Sequence, residues 1–186
     1  MVTIAPLWMP ILIAAVLCWL AASVIWMVMP HHKSDYKKVG DEEAVRAALR
    51  GLSPGLYNIP YCVDRKEIEN PEVKRKFEEG PLAFVTIVPN GVPAMGKYLV
   101  LQFLYYLIVG VFVAYVAGRT LAPGTDYLHV FQITGAVAWM AYGFADIPES
   151  IWFGRPWSIT LKYLADALVF ALLTAGVFGW LWPALS

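Results

Sequence analysis

The sequence predicts an all-α polytopic membrane protein, with four transmembrane helices and a small α/β cytoplasmic insert between the first and the second. Three observations carry that prediction. Met1 to Met29 is uncharged throughout and is followed at once by His31, His32, Lys33, Lys37 and Lys38; such a run is long enough to cross a bilayer. Three further apolar stretches of similar length follow later in the chain. Charge is also segregated: residues 30–97 hold 11 of the 14 Lys+Arg and 10 of the 14 Asp+Glu. The zero net charge is therefore an average of two unlike parts. Hydrophobic residues make up 59% of the 186-residue chain and its mean hydropathy is +0.58, outside the range of an ordinary soluble domain.

The first element, residues 1–29, reads as a retained span from about Leu7 to Met29 and not as a cleaved signal. It lacks a positive leading region, its apolar length exceeds a usual signal core, and no convincing small-x-small cleavage site precedes Pro30. Trp8 and Trp26 stand near its ends, where amphipathic rings favour the headgroup level. Pro6 and Pro10 fall in the first turns, where a missing N–H costs little.

Residues 30–97 form the insert. Asp41, Glu42 and Glu43 open a helix whose last turn carries Arg46 and Arg50 ahead of Gly51. That order complements the helix dipole, and Glu42–Arg46 is an i,i+4 pair. Leu56 to Cys62 reads as a short strand, demoted toward an edge by Pro60. Asn70 as N-cap, Pro71 at the first helical position, a Glu72–Lys76 pair and Gly80 beyond the end mark a second helix. Ala83 to Val88 is a continuous apolar run, the pattern of a strand covered on both faces. Two strands and two short helices make a thin core, which predicts dependence on a docking surface.

Residues 98–186 hold the remaining spans, about Tyr98–Gly118, Tyr127–Ile147 and Ile159–Trp182. Each has the roughly 20 residues that about 30 Å of hydrocarbon demands at 1.5 Å rise per residue. Lys33, Lys37, Lys38 and Lys97 flank the insert and Arg155 and Lys162 follow span three, while Arg119 alone lies at the other side. Positive-inside bias then puts the insert in the cytoplasm and both ends of the chain outside. Small residues recur at four-residue spacing at Ala14, Cys18 and Ala22, at Gly110, Ala114 and Gly118, and at Ala167, Ala171, Ala175 and Gly179. Such stripes let backbones approach in lipid. They serve either a four-helix bundle within the chain or, on span four, contact with a second copy or another protein.

Charges at membrane depth are costly and mark candidate functional positions. Asp166 is the deepest, with Lys162 one turn before it on the same face and available as its partner. Asp146, Glu149 and Arg155 lie near the same end, so these five residues form one expected cluster. It is a salt-bridge network or a ligand site. Lys33, Lys37, Lys38, Lys97 and Arg155 are the candidate contacts for lipid headgroups. His31 and His32 are adjacent, hence divergent on any helix, and no third ligand stands near them in sequence, so no metal site is read. His129 reads as an interhelical hydrogen-bonding residue, with Asp126 close enough to pair with it. Cys18 and Cys62 form no paired spacing. No P-loop, dinucleotide fingerprint, HExxH or basic nucleic-acid stripe is present, so no cofactor and no catalytic residue is assigned.

The segment His32-Lys33-Ser34-Asp35-Tyr36, with Asp41 to Val45 after it, resembles the segment behind the first span in a group of uncharacterised bacterial four-span inner-membrane proteins. Ser150 to Ser158, with Thr160-Leu161-Lys162, is similar to their last loop. The resemblance implies a bacterial inner-membrane setting and brings no activity. Three functions stay open on these residues. The leading one is a non-catalytic accessory, scaffold or assembly protein. The others are a small oligomeric transporter or channel component using Asp166, and a lipid-acting membrane enzyme with Asp146 and Glu149 as acid and base.

Overall fold

The computed structural model describes residues 1–184, Arg65 by its backbone alone. The chain divides into two compact units, residues 1–36 with 94–184, and residues 37–93. The sequence places residues 30–36 in the insert. In the structure they belong to the first unit, because their side chains are bonded to its last helix.

The first unit is helical. A 3-10 turn, Ala5–Leu7, leads into α1, Trp8–Met27, and Pro30 ends the run three residues later. In the second unit, α2 covers Glu42–Leu49 and β1 covers Gly55–Ile59. A 3-10 turn over Arg65–Glu69, unforeseen from the sequence, precedes α3, Pro71–Glu79, and β2 covers Ala83–Ile87. The first unit resumes with α4, Met95–Thr120, then α5, Tyr127–Gly143, a 3-10 turn over Phe144–Asp146, the short α6, Ile147–Trp152, and α7, Trp157–Trp180.

Three helical runs are long and apolar enough to cross a membrane: Ala5–Met27, Met95–Thr120 and Trp157–Trp180, of 23, 26 and 24 residues. The run expected over Tyr127–Ile147 stops as a helix at Gly143 and has 17 residues.

Antiparallel packing is held by small residues. A Cβ on Gly110 would lie 3.2 Å from the Ile11 side chain, and one on Gly118 would collide with the Val2 carbonyl. These contacts run α1 down α4, with Val2 N–H donating to Gly118 O at 2.9 Å. Gly179 faces the Tyr127 ring, Gly135 faces Ala175, and Gly143 faces Ala167, so α5 lies along α7 from one end to the other. The stripe Ala167, Ala171, Ala175 and Gly179 is thus occupied within the chain, and its three alanines are buried. In lipid such close backbone approach supplies the dispersion contacts that a hydrophobic drive cannot. Asp126 caps α5 by accepting from the His129 backbone N–H at 3.1 Å. The expected side-chain role of His129 is not what the structure shows, since that residue is exposed.

In the second unit the caps follow the residue types. Asp41 accepts from Ala44 N–H and Asn70 from Glu72 N–H, and Gly80 takes φ 63° at the end of α3. Glu72 pairs with Lys76 as expected, but Arg46 bonds Glu43 at i,i+3 and not Glu42. β1 and β2 pair antiparallel, Tyr57 opposite Val85. Ala83, Val85 and Ile87 are half-buried while Phe84 and Thr86 are exposed, so the run is covered on one face and not on both. No described residue of 37–93 is buried.

Candidate functional site

The polar centre of the first unit is built by the turn after α1. Pro30 cannot continue the helix, and Lys33 N–H donates to Pro30 O at 3.0 Å while Asp35 N–H donates to His32 O at 3.1 Å. This tight backbone brings together two imidazoles that a helix would splay apart. His31 Nε2 lies 3.2 Å from Asp166 Oδ1, and His32 Nε2 lies 2.6 Å from Asp166 Oδ2. The other nitrogen of His32, Nδ1, is 2.6 Å from Asp35 Oδ2. Its ring is stacked on Trp26 at 4.0 Å, with 1° between the planes.

Lys162 projects from the same face of α7 as Asp166. Its Nζ donates to His31 O and to Asp35 Oδ1, both at 2.5 Å, and to Ser34 Oγ at 3.0 Å. The expected Lys162–Asp166 pair is therefore replaced. Each of the two reaches separately into the 30–35 turn, because that turn offers each a closer partner. Burial pushes the Asp35 carboxyl up, but the hydrogen bonds and charges of Lys162 and His32 outweigh it and hold the group below its usual range. The Asp35 side chain is 2% exposed, so its counter-charges are not screened by water.

The other three members of the expected cluster form a second network. Arg155 reaches Asp146 at 2.5 Å and Glu149 at 3.5 Å, closing the connection from α5 to α7. Gly154, at φ 71°, makes the bend. The Arg155 guanidinium also lies 5.2 Å from the centre of the Tyr163 ring, which in turn neighbours the His32 ring at 5.4 Å. One predicted cluster has become two, with Tyr163 between them. Arg155 is engaged by carboxylates, while Lys33, Lys37, Lys38 and Lys97 are exposed. Because its partners are partly solvated, Arg155→Gln is expected to cost less than about 1 kcal/mol. A thermal melt of the purified protein in detergent checks that.

A cavity of about 620 Å³ opens beside both networks, between the adjoining ends of α1, α4, α5 and α7. Trp19, Trp26, Tyr106 and Phe170 wall it, and Asp146 and Asp166 both line it. Behind it Cys18 is fully buried, 3.5 Å from Thr174 Oγ1. Cys62, in the second unit, has its thiol pushed up by burial and by Glu67 and Asp64, which makes it a poor nucleophile.

Among the described residues, the group able to hold a metal ion includes the two adjacent histidines for which the sequence offers no third ligand nearby. His31, His32 and Asp166 each offer a donor atom, and the three lie within 4.8 Å of one another. Their separation of 134 residues in sequence hid the third donor. The clue was Asp166 itself: a carboxylate at that depth requires partners, and the only histidines beside a span end of matching height are those behind α1.

The class this fold defines is a bundle with three apolar helices of membrane length among the described residues, carrying a hydrogen-bonded histidine–carboxylate centre near one end. No family model, curated protein or solved structure matches the chain.

Proposed function

We propose that this is a four-span integral membrane protein of the bacterial inner membrane, acting as a non-catalytic accessory or assembly protein through its insert. One observation carries the accessory role: residues 37–93 bury none of their described side chains and pair only two strands. A unit of that kind is marginal by itself and gains stability from a protein surface laid against it. Its exposed Leu56, Tyr61, Val63 and Val92 supply apolar area for such a surface. In the bundle, Asp146, Glu149, Arg155 and Lys162 have ionic partners and Asp166 is hydrogen-bonded to His31 and His32, which favours a structural use of these charges over proton or ion transfer. The test is a native-mass measurement on the complex purified from its host membrane. A stoichiometric partner, lost when residues 41–91 are replaced by a Gly/Ser linker, supports the role. A homomer whose mass is indifferent to that replacement ends it.

The fourth crossing is α5. At 1.5 Å per residue its 17 residues span roughly 25 Å, within the lower range for a membrane helix. It lies along α7 from Gly179 to Ala167, rather more than the second half of that helix. Exposed tryptophans sit at both ends of the bundle, Trp8 and Trp180 at one and Trp26, Trp152 and Trp157 at the other. With Lys33, Lys97, Arg155 and Lys162 at the second end and Arg119 at the first, the insert is cytoplasmic and both chain ends are outside. Single cysteines at Thr3, Glu78 and Ala184 should then label from two sides, the outer pair together. Labelling of Thr3 and Ala184 positions from opposite faces would reduce the crossings to three.

A further inference from the structure

We propose that His31, His32 and Asp166 form a binding site for a borderline divalent transition metal, of which zinc is the representative, with Asp35 as the residue that orients His32. The inference does not depend on the accessory role. Three features of the centre point to it together, beyond the presence of metal-binding residue types.

The first is convergence. Two imidazole Nε2 atoms face the two oxygens of one carboxylate, and the ring centres are 4.1 Å apart. Donors around a tetrahedral ion with bonds near 2.0–2.1 Å stand about 3.3 Å apart. His31 Nε2 stands 3.2 Å from one Asp166 oxygen and His32 Nε2 2.6 Å from the other, and one donor atom from each residue lies within 4.8 Å of the other two, so side-chain shifts of roughly 1–1.5 Å bring the set to tetrahedral spacing.

The second is what stands behind the donors. His32 Nδ1 faces the Asp35 carboxylate, which leaves Nε2 as the metal-facing nitrogen, the carboxylate–histidine–metal arrangement that fixes tautomer and ring direction. Asp35 is in turn held by Lys162, and the ring plane is set by the stack on Trp26. A ligand held by packing and a hydrogen bond loses little freedom when the ion arrives.

The third is access. Asp166 lines the cavity, as do Trp26 and Tyr163 beside His32, so a space large enough for water or a small ligand adjoins the carboxylate of the set. Two imidazoles and one carboxylate favour zinc and its neighbours over magnesium or calcium, which prefer all-oxygen sets. On binding, no electron moves. Any proton held between an imidazole Nε2 and the Asp166 carboxylate is released to solvent or, on His31, passes to its unpartnered Nδ1, while His32 keeps its Nδ1–H toward Asp35.

The experiment uses tag-free, full-length protein in detergent, stripped with EDTA, dialysed, and titrated with Zn²⁺ and separately with Co²⁺. One tightly held Zn²⁺ per chain and the visible d–d absorption of a tetrahedral cobalt site are expected. Asp35→Asn should keep the stoichiometry but weaken affinity by about 10–100-fold. His31→Gln and Asp166→Asn should lose the site. His31 is the more solvated of the two histidines, so its variant is the one that tests binding without disturbing the fold. Size exclusion and circular dichroism establish that each variant is folded. X-ray absorption at the zinc edge of the wild-type protein decides independently of any variant: back-scattering from two imidazoles supports the site. Folded wild-type protein without stoichiometric zinc at micromolar metal, a folded His31→Gln that binds as wild type does, or a zinc edge without imidazole features overturns it.

Discussion

Lys162→Met is expected to destabilise the bundle more than any other loss of a single cation. The variant leaves the Asp35 carboxylate, 2% exposed, without the ammonium 2.5 Å away, and frees the His31 carbonyl and Ser34 hydroxyl that the same Nζ binds. Lys162 is itself 27% exposed and Asp35 keeps His32 at 2.6 Å, so the cost is about 1–3 kcal/mol, that of an under-satisfied buried charged group. Arg155→Gln, whose partners reach water, is the contrast. The readout is a thermal melt followed by a maleimide dye in a Cys62→Ser background, where fully buried Cys18 reacts only on unfolding. Adding Asp35→Asn to Lys162→Met should recover part of the loss, since the carboxylate left with His32 alone is then uncharged. Equal, small shifts for Lys162→Met and Arg155→Gln would mean that the 30–35 turn is not fastened to α7 in this way.

Gly143→Leu is expected to part α5 from α7. A Cβ there would lie 2.8 Å from the Ala167 methyl and 3.1 Å from Leu164, both on a neighbouring helix whose backbone cannot step aside locally. Overpacking of this sort costs about 1–3 kcal/mol, and here it also displaces the face from which Lys162 and Asp166 project. Gly96→Leu, in α4 with nothing within 4 Å of its Cβ, is the matched control and should melt as the parent does. A Gly143→Leu protein indistinguishable from Gly96→Leu would refute the close α5–α7 seam.

Local chemistry was legible in proportion to how local it is. The caps Asp41 and Asn70, the proline opening α3 and the glycine closing it all fell where their residue types put them, because each satisfies backbone groups within four residues. The end of α5 was less legible. Apolar composition continues to Ile147, but the helix gives way at Gly143 to a 3-10 turn, and Pro148 opens the next short helix. Hydropathy reports solubility in lipid, not hydrogen-bond continuity. The strand Ala83–Ile87 misled for a related reason, since a wholly apolar run states what a strand tolerates and not how many layers exist to cover it.

The sequence by itself determined the helical class, the segregated insert and the identity of the costly charges. Those follow from composition and from periodicities shorter than one element. Only the tertiary structure decided which partners the charges take. Lys162 and Asp166 are neighbours on one helix face, yet each is held by the turn after α1, more than a hundred residues away in the chain. His31 and His32 converge because a tight turn, not a helix, carries them. Pairing at such separation depends on how four helices stack, and the small-residue seams that set the stacking reveal their partners only once packed.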